Sequence, residues 1–126
     1  MTETDGKKEI VLAVDDMPEV LQSINAILCQ DYDVRLAVDA ASALAVLKIA
    51  DVDLILLDVE MPGMSGIEFL DKLQNDSAYK AIPVVFITAN SEDSVIKTAI
   101  AKGAKGYVTK PFSQSALLES VQFFCS

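Results

Sequence analysis

The chain contains no histidine. That single absence excludes His-ligated zinc, Ser-His and Cys-His nucleophile pairs, and imidazole acid–base chemistry. Cysteine is scarce: Cys29 and Cys125 are the two, and they make neither a metal-binding spacing nor a disulfide framework. Both are expected to be free thiols in a reducing compartment. Basic residues are few, with 10 Lys and Arg against 19 Asp and Glu and a formal net charge of −9. Such a surface repels phosphate backbones and anionic lipid, so direct binding of nucleic acid or membrane is not expected. No apolar run approaches the roughly 20 residues that span a bilayer. The opening residues Met1–Lys8 are polar and lack the apolar centre of a signal peptide. A cytoplasmic location is the expectation. Linkers, internal repeats and low-complexity segments are also lacking. Whatever chemistry exists must run on carboxylates, hydroxyls and lysine.

Apolar residues, by contrast, are plentiful. They make up 52% of 126 residues, enough for the core of one domain. Residues 1–8 are expected to form a disordered lead and residues 9–126 the folded domain. Five short apolar runs predict strands at Ile10–Val14, Val34–Val38, Leu54–Leu57, Val84–Ile87 and, more weakly, Gly106–Thr109. Most are near-continuous in Val, Ile and Leu, the pattern of parallel strands covered on both faces. Segments of helical period lie between them. Val20, Ile24, Ile27 and Leu28 form one stripe, and Ala40, Ala43, Leu44 and Leu47 another. Pro18 suits a first helical turn. Ser65 with Glu68 reads as a capping box for a third helix. Ser91, before Glu92 and Asp93, is expected to cap a fourth. Ser113 is expected to start a fifth, with Leu117, Val121 and Phe124 on one face. The C-terminal ends of the first and fifth helices, carrying Cys29 and Cys125, are expected near each other. Alternating strands and helices make a doubly wound α/β domain with right-handed crossovers. In such a fold the loops after the strands share one edge of the sheet, and ligands bind there.

That edge gathers a particular set of side chains. Asp15 and Asp16 follow the first strand, Asp58 ends the third, Thr88 the fourth, and Lys110 with Pro111 the fifth. Each alone has an ordinary reading: Asp16 as a helix cap, Asp58 as a turn residue, Thr88 as a β-branched strand residue, Lys110–Pro111 as a loop. Together they imply more. Three crowded carboxylates repel one another unless a cation or proton intervenes. Hard oxygen donors of this kind suit Mg²⁺. A carboxylate can attack phosphorus, provided that a metal and a lysine neutralise the phosphoryl oxygens. A hydroxyl such as that of Thr88 can donate to a remaining oxygen.

These residues, with Met61-Pro62-Gly63-Met64-Ser65-Gly66 after Asp58, Ala89 after Thr88, and Lys105-Gly106-Tyr107-Val108-Thr109-Lys110-Pro111-Phe112, resemble the receiver domain of two-component response regulators. The resemblance runs in order from about Glu9 to the C-terminus. It implies a flavodoxin-like (βα)5 fold with strand order 2-1-3-4-5, an order for which a chemotaxis receiver is the standard example. It implies Asp58 as phosphoacceptor. Mg²⁺ would be held by Asp16 directly, by Asp15 chiefly through water, by Asp58, and by the main-chain carbonyl of Glu60. Lys110 and Thr88 would contact the phosphoryl group, Tyr107 would swing with Thr88, and the Lys110–Pro111 bond would be cis. The resemblance implies a sensor histidine kinase or a histidine phosphotransfer protein as donor, and the absence of histidine here agrees with a donor imidazole from another protein. The implied output is a downstream effector domain or protein that reads the face of helix four, strand five and helix five. A phosphorylation-dependent dimer is compatible with it. The chain would be a signalling acceptor rather than an enzyme with an external substrate, losing its phosphoryl group slowly at a rate tuned by Glu60 and Asn90.

Three other readings remain at this point. A haloacid-dehalogenase-type phosphatase would carry Asp-x-Asp after the first strand, whereas here Asp16 is followed by Met17. A flavodoxin-like electron carrier would need a Ser/Thr/Gly-rich phosphate loop at the same place. A degenerate receiver serving only as a binding module would not need the intact set of Asp15, Asp16, Asp58, Thr88 and Lys110. Whether the chain stands alone or is the N-terminal part of a longer regulator is open, since fold does not decide output.

Overall fold

The five apolar runs do form strands, and a helix follows each of them. In chain order the elements are β1 (Ile10–Val14), α1 (Pro18–Leu28), β2 (Asp33–Ala37), α2 (Ala40–Ile49), β3 (Leu54–Asp58), α3 (Gly66–Gln74), β4 (Val84–Thr88), α4 (Asp93–Ala101), β5 (Gly106–Thr109) and α5 (Gln114–Cys125). The structure is a computed structural model that describes residues 8–89 and 93–125. The expected lead at residues 1–8 lies almost wholly outside the described residues, as do Asn90 and the expected cap Ser91.

All strands are parallel, in the order β2-β1-β3-β4-β5. The chain leaves β1 toward β2 on one side and returns to β3 on the other, so the order reverses between β1 and β3. Side chains alternate across the sheet. Leu12, Val14, Ile55, Leu57, Val84 and Phe86 face α2 and α3, where Ala43, Leu47, Phe69, Leu70 and Leu73 cover them. Val11, Ala13, Leu54, Leu56, Val85 and Ile87 face α1 and α5, covered by Leu21, Ile24, Leu28, Leu117 and Val121. Every residue of β3 and β4 is buried, which explains their unbroken hydrophobic sequences. Both cysteines are free. Burial, with the charges of Glu9 and Asp53, pushes the Cys125 thiol up to about 12, so it stays protonated.

Several element boundaries differ from the sequence expectation. β2 begins at Asp33 and ends at Ala37 rather than running Val34–Val38. The main chain decides this: Asp33 pairs with Ile10 and its N–H donates to the Glu9 carbonyl at 2.9 Å. Val38 is apolar but stands outside the ladder, 47% exposed. β3 and β4 each extend one residue beyond their apolar runs, to Asp58 and Thr88. Those polar residues are therefore locked in register, Asp58 opposite Ile87 and Thr88 opposite Thr109.

The helix starts follow local chemistry. Pro18 opens α1, and Ser65 with Glu68 forms a reciprocal capping box on α3. A second capping box, unanticipated from sequence, starts α2. There the Asp39 carboxylate accepts from Ser42 N–H at 2.8 Å, and Ser42 Oγ accepts from Asp39 N–H at 3.2 Å. Asp39→Ala is expected to lower stability, because the Ser42 N–H at the start of α2 loses its acceptor. A urea midpoint that falls at constant slope would register it; an unchanged midpoint would show the cap to be dispensable.

Candidate functional site

The residues singled out from sequence arrive together at the carboxyl ends of β1, β3, β4 and β5. Asp15 directly follows β1. Its N–H donates to the Ala37 carbonyl at 3.1 Å, which ties it to the β1–β2 ladder. Its side chain is fully buried, and Oδ1 accepts from Met17 N–H at 2.9 Å. Met17 is the N-cap of α1 and makes no side-chain cap bond. The Asp15 carboxylate thus sits against the start of α1, where backbone N–H groups favour an anion. Asp16, next in sequence, is exposed. It does not cap the helix.

Asp58 and Thr88 are buried at the ends of β3 and β4, 5% and 2% exposed. One oxygen of Asp58 accepts a long 3.4 Å bond from Glu60 N–H. The Thr88 carbonyl accepts from Lys110 N–H at 2.8 Å, so the backbone of β4 holds the lysine in place. Lys110 Nζ lies 2.8 Å from Asp15 Oδ2 and 3.4 Å from Asp58 Oδ1. The Lys110–Pro111 peptide bond is cis. Tyr107, on β5 and in register with Phe86, is 46% exposed.

The site is electrostatically unbalanced. Oxygens of Asp15, Asp16 and Asp58 all lie within 4.8 Å of one another. Burial and the neighbouring Asp15 charge push Asp58 up to about 6, against the opposing pull of Lys110 and of Glu60 N–H. Burial disfavours the charge on Lys110, but its hydrogen bond to Asp15 and the charges of Asp58 and Asp15 hold it above the usual lysine value. Three carboxylates against one ammonium leave two negative charges uncompensated. Asp15 Oδ2, buried, has no hydrogen-bond donor among the described residues apart from that ammonium. An all-oxygen donor set with an orphaned lone pair and a deficit of two charges fits a hard divalent cation such as Mg²⁺.

The family model for the response regulator receiver domain matches residues 11–122. The chain belongs to that family. Among curated relatives of this receiver domain, the Vibrio cholerae Chemotaxis protein CheY-3 is 34% identical over 119 residues, covering 92% of this chain and 91% of the relative. Nitrate/nitrite response regulator protein NarL of Escherichia coli is 36% identical over 114 residues, 88% of this chain but 52% of the relative. The receiver domain therefore spans about half the length of NarL. The solved structure of Vibrio cholerae chemotaxis protein CheY4 superposes with a TM-score of 0.88 at 35% identity, covering 93% of this chain and 98% of that one. The expected doubly wound fold and its strand order stand.

Two features of the receiver site were not readable beforehand. The nearer partner of Lys110 is Asp15, not Asp58, and that carboxylate is fully buried. The other is Gly66, visible in sequence only as part of a motif. No signal in the sequence distinguishes a glycine required by space from one required by backbone angle.

Proposed function

We propose that Asp58 accepts a phosphoryl group in a Mg²⁺-dependent reaction, and that the new charge alters the surface of α4, β5 and α5. One observation carries this reading: a single ammonium, Lys110, bridges two buried carboxylates that a third carboxylate crowds. Asp16, Asp15, Asp58 and the Glu60 carbonyl would hold Mg²⁺, whose contribution is to offset the negative charge that otherwise keeps a phosphoryl donor away. An Asp58 oxygen forms the new P–O bond while the P–N bond of a phosphohistidine donor breaks, the electron pair leaving with the imidazole, which then takes a proton from water. Lys110 exchanges its contact with Asp58 for one with the phosphoryl oxygens, and the Thr88 hydroxyl donates to another. The chain acts on no further substrate. With no histidine of its own, it draws on a histidine kinase or phosphotransfer protein, in the cytoplasm. Its output is an effector, joined to it or separate. No described helix is long and apolar enough to cross a membrane.

The direct test offers the purified chain a small acyl phosphate in Mg²⁺. One phosphoryl group per chain, mapped to Asp58 by mass spectrometry and lost in chelator, is the expected result. Incorporation that persists in Asp58→Asn or in chelator sinks the proposal.

The path to the surface runs through Thr88 and Tyr107. Thr88 hydrogen-bonding to the phosphoryl group would draw it inward, and the half-exposed Tyr107 ring would follow into the space beside β4. Beryllofluoride should then shift NMR signals across residues 92–112 as well as at Asp58. Thr88→Ala should retain acceptance at Asp58 but lose most of that distant response. A full response in Thr88→Ala would mean that the signal travels another way.

A further inference from the structure

Two glycines in the β3–α3 connection are there for opposite reasons. Gly63 has φ 78°, a conformation that side chains rarely adopt, yet a Cβ built on it meets nothing within 4 Å. Gly66, the first residue of α3, has no positive φ, yet a Cβ there would stand 2.9 Å from Val59 Cα and 3.0 Å from the Asp58 carbonyl carbon, with the Asp58 carbonyl oxygen closer still. All three are main-chain atoms. Gly66 N–H donates to the Val59 carbonyl at 2.9 Å, so the helix start and the strand end are in direct contact.

Both sides are held in place. β3 is paired to β1 and β4 on both edges. α3 is anchored by buried Phe69, Leu70 and Leu73 and by the Ser65–Glu68 capping box. An added methyl must therefore displace the Asp58–Val59 backbone or lift the start of α3. Displacing that backbone moves the Asp58 carboxylate and the Glu60 carbonyl relative to Asp15 and Asp16, which hang from β1.

We propose that Gly66 is a positioning residue: its bare Cα lets α3 bear on the main chain at Asp58, and that contact sets the spacing of the oxygens that receive the cation. The inference rests on the phosphoacceptor reading above. Gly63→Ala is its control, since it strains the same connection without placing an atom against Asp58.

The test is Mg²⁺ titration of the parent chain, Gly66→Ala and Gly63→Ala, with amide NMR shifts at Asp58 and Glu60 followed alongside. Gly66→Ala is expected to lose about 10-fold or more in Mg²⁺ affinity, as when an outer support of a metal ligand is removed. Its Asp58 and Glu60 signals should move before any Mg²⁺ is added. Gly63→Ala should be less stable than the parent yet bind Mg²⁺ within about twofold of it, because strain at an open turn lowers stability without moving ligands. A variant that unfolds in buffer is titrated in sucrose, which favours the compact state. A folded Gly66→Ala with parental affinity and unmoved signals overturns the inference, as does an equal loss in Gly63→Ala. A parent chain that neither binds Mg²⁺ nor takes up a phosphoryl group instead overturns the phosphoacceptor reading itself.

Discussion

Asp58→Asn is expected to be more stable than the parent chain in chelator and less stable than it in Mg²⁺. The reversal follows from the carboxylate's environment. Burial and Asp15 raise Asp58 from 3.8 to about 6 in the folded state, so the fold binds its proton more tightly than the unfolded chain does. The stabilisation that this proton provides is complete below about pH 4 and is lost as pH rises through about 6. Near neutrality the ionised group opposes folding. A shift of this size corresponds to roughly 3 kcal/mol, which water at the open end of the sheet reduces to about 1–2 kcal/mol. The asparagine variant escapes that penalty, so its advantage should grow between about pH 4 and pH 6 and then level off. Mg²⁺ inverts the order: ligand at 100 times its Kd adds about 2.7 kcal/mol to the parent, and the variant lacks one anionic donor. Thermal melts across pH with and without Mg²⁺ check this. A variant that is never the more stable of the two would show that Asp58 is not strained by burial.

Lys110→Ala should have the opposite profile. Asp15 is fully buried, and Lys110, at 2.8 Å, supplies its only cation among the described residues. Removing one partner of a buried pair leaves the other charge uncompensated, which typically costs about 3–5 kcal/mol. The lysine is partly exposed at 18%, so water reaches the gap and the expected loss in chelator is about 2–3 kcal/mol. Mg²⁺ should restore most of it, since the divalent ion compensates the same oxygens. Under the proposed function, phosphoryl uptake should remain low even when stability is recovered, because the cation assigned to the incoming oxygens is gone. Denaturant unfolding in the two conditions separates these effects. Equal destabilisation with and without Mg²⁺ would mean that Lys110 and the metal do not share Asp15.

The fold was legible because its strands are unambiguous. Leu54–Leu57 and Val84–Ile87 are unbroken apolar runs, and they are the two most buried strands of the sheet. β2 was misplaced by one residue because it lies at the edge of the sheet, where Leu36 and Val38 are exposed and the hydrophobic pattern carries no phase. The α2 cap was missed because its serine occupies the position where a Glu or Gln is the usual signal. In α1, Val20 packs partly buried against the core as the stripe implied, and the adjoining Leu21, left out of that stripe, is buried beside it. At the site, Asp15, Asp16, Asp58 and Lys110 come together as their places after the strands implied, while Asn90 lies outside the described residues. What the sequence could not convey is orientation: that Asp15 points inward and Asp16 outward, that Lys110 reaches Asp15 first, and that Gly66 is excluded from bearing a side chain by the backbone beside it.

The parts of the site also have an order in time. Asp15 and Asp16 follow β1, Asp58 ends β3, and Lys110 follows β5. A ribosome working from the N-terminus releases the three carboxylates first and the lysine only after all five strands have emerged. Until β5 joins the edge of the sheet, the nascent sheet would hold the repelling charges without their internal counterion. Protonation of Asp58 or a dissolved cation would relieve that repulsion before the last strand arrives. Translation delivers the repulsion early and its neutralisation late.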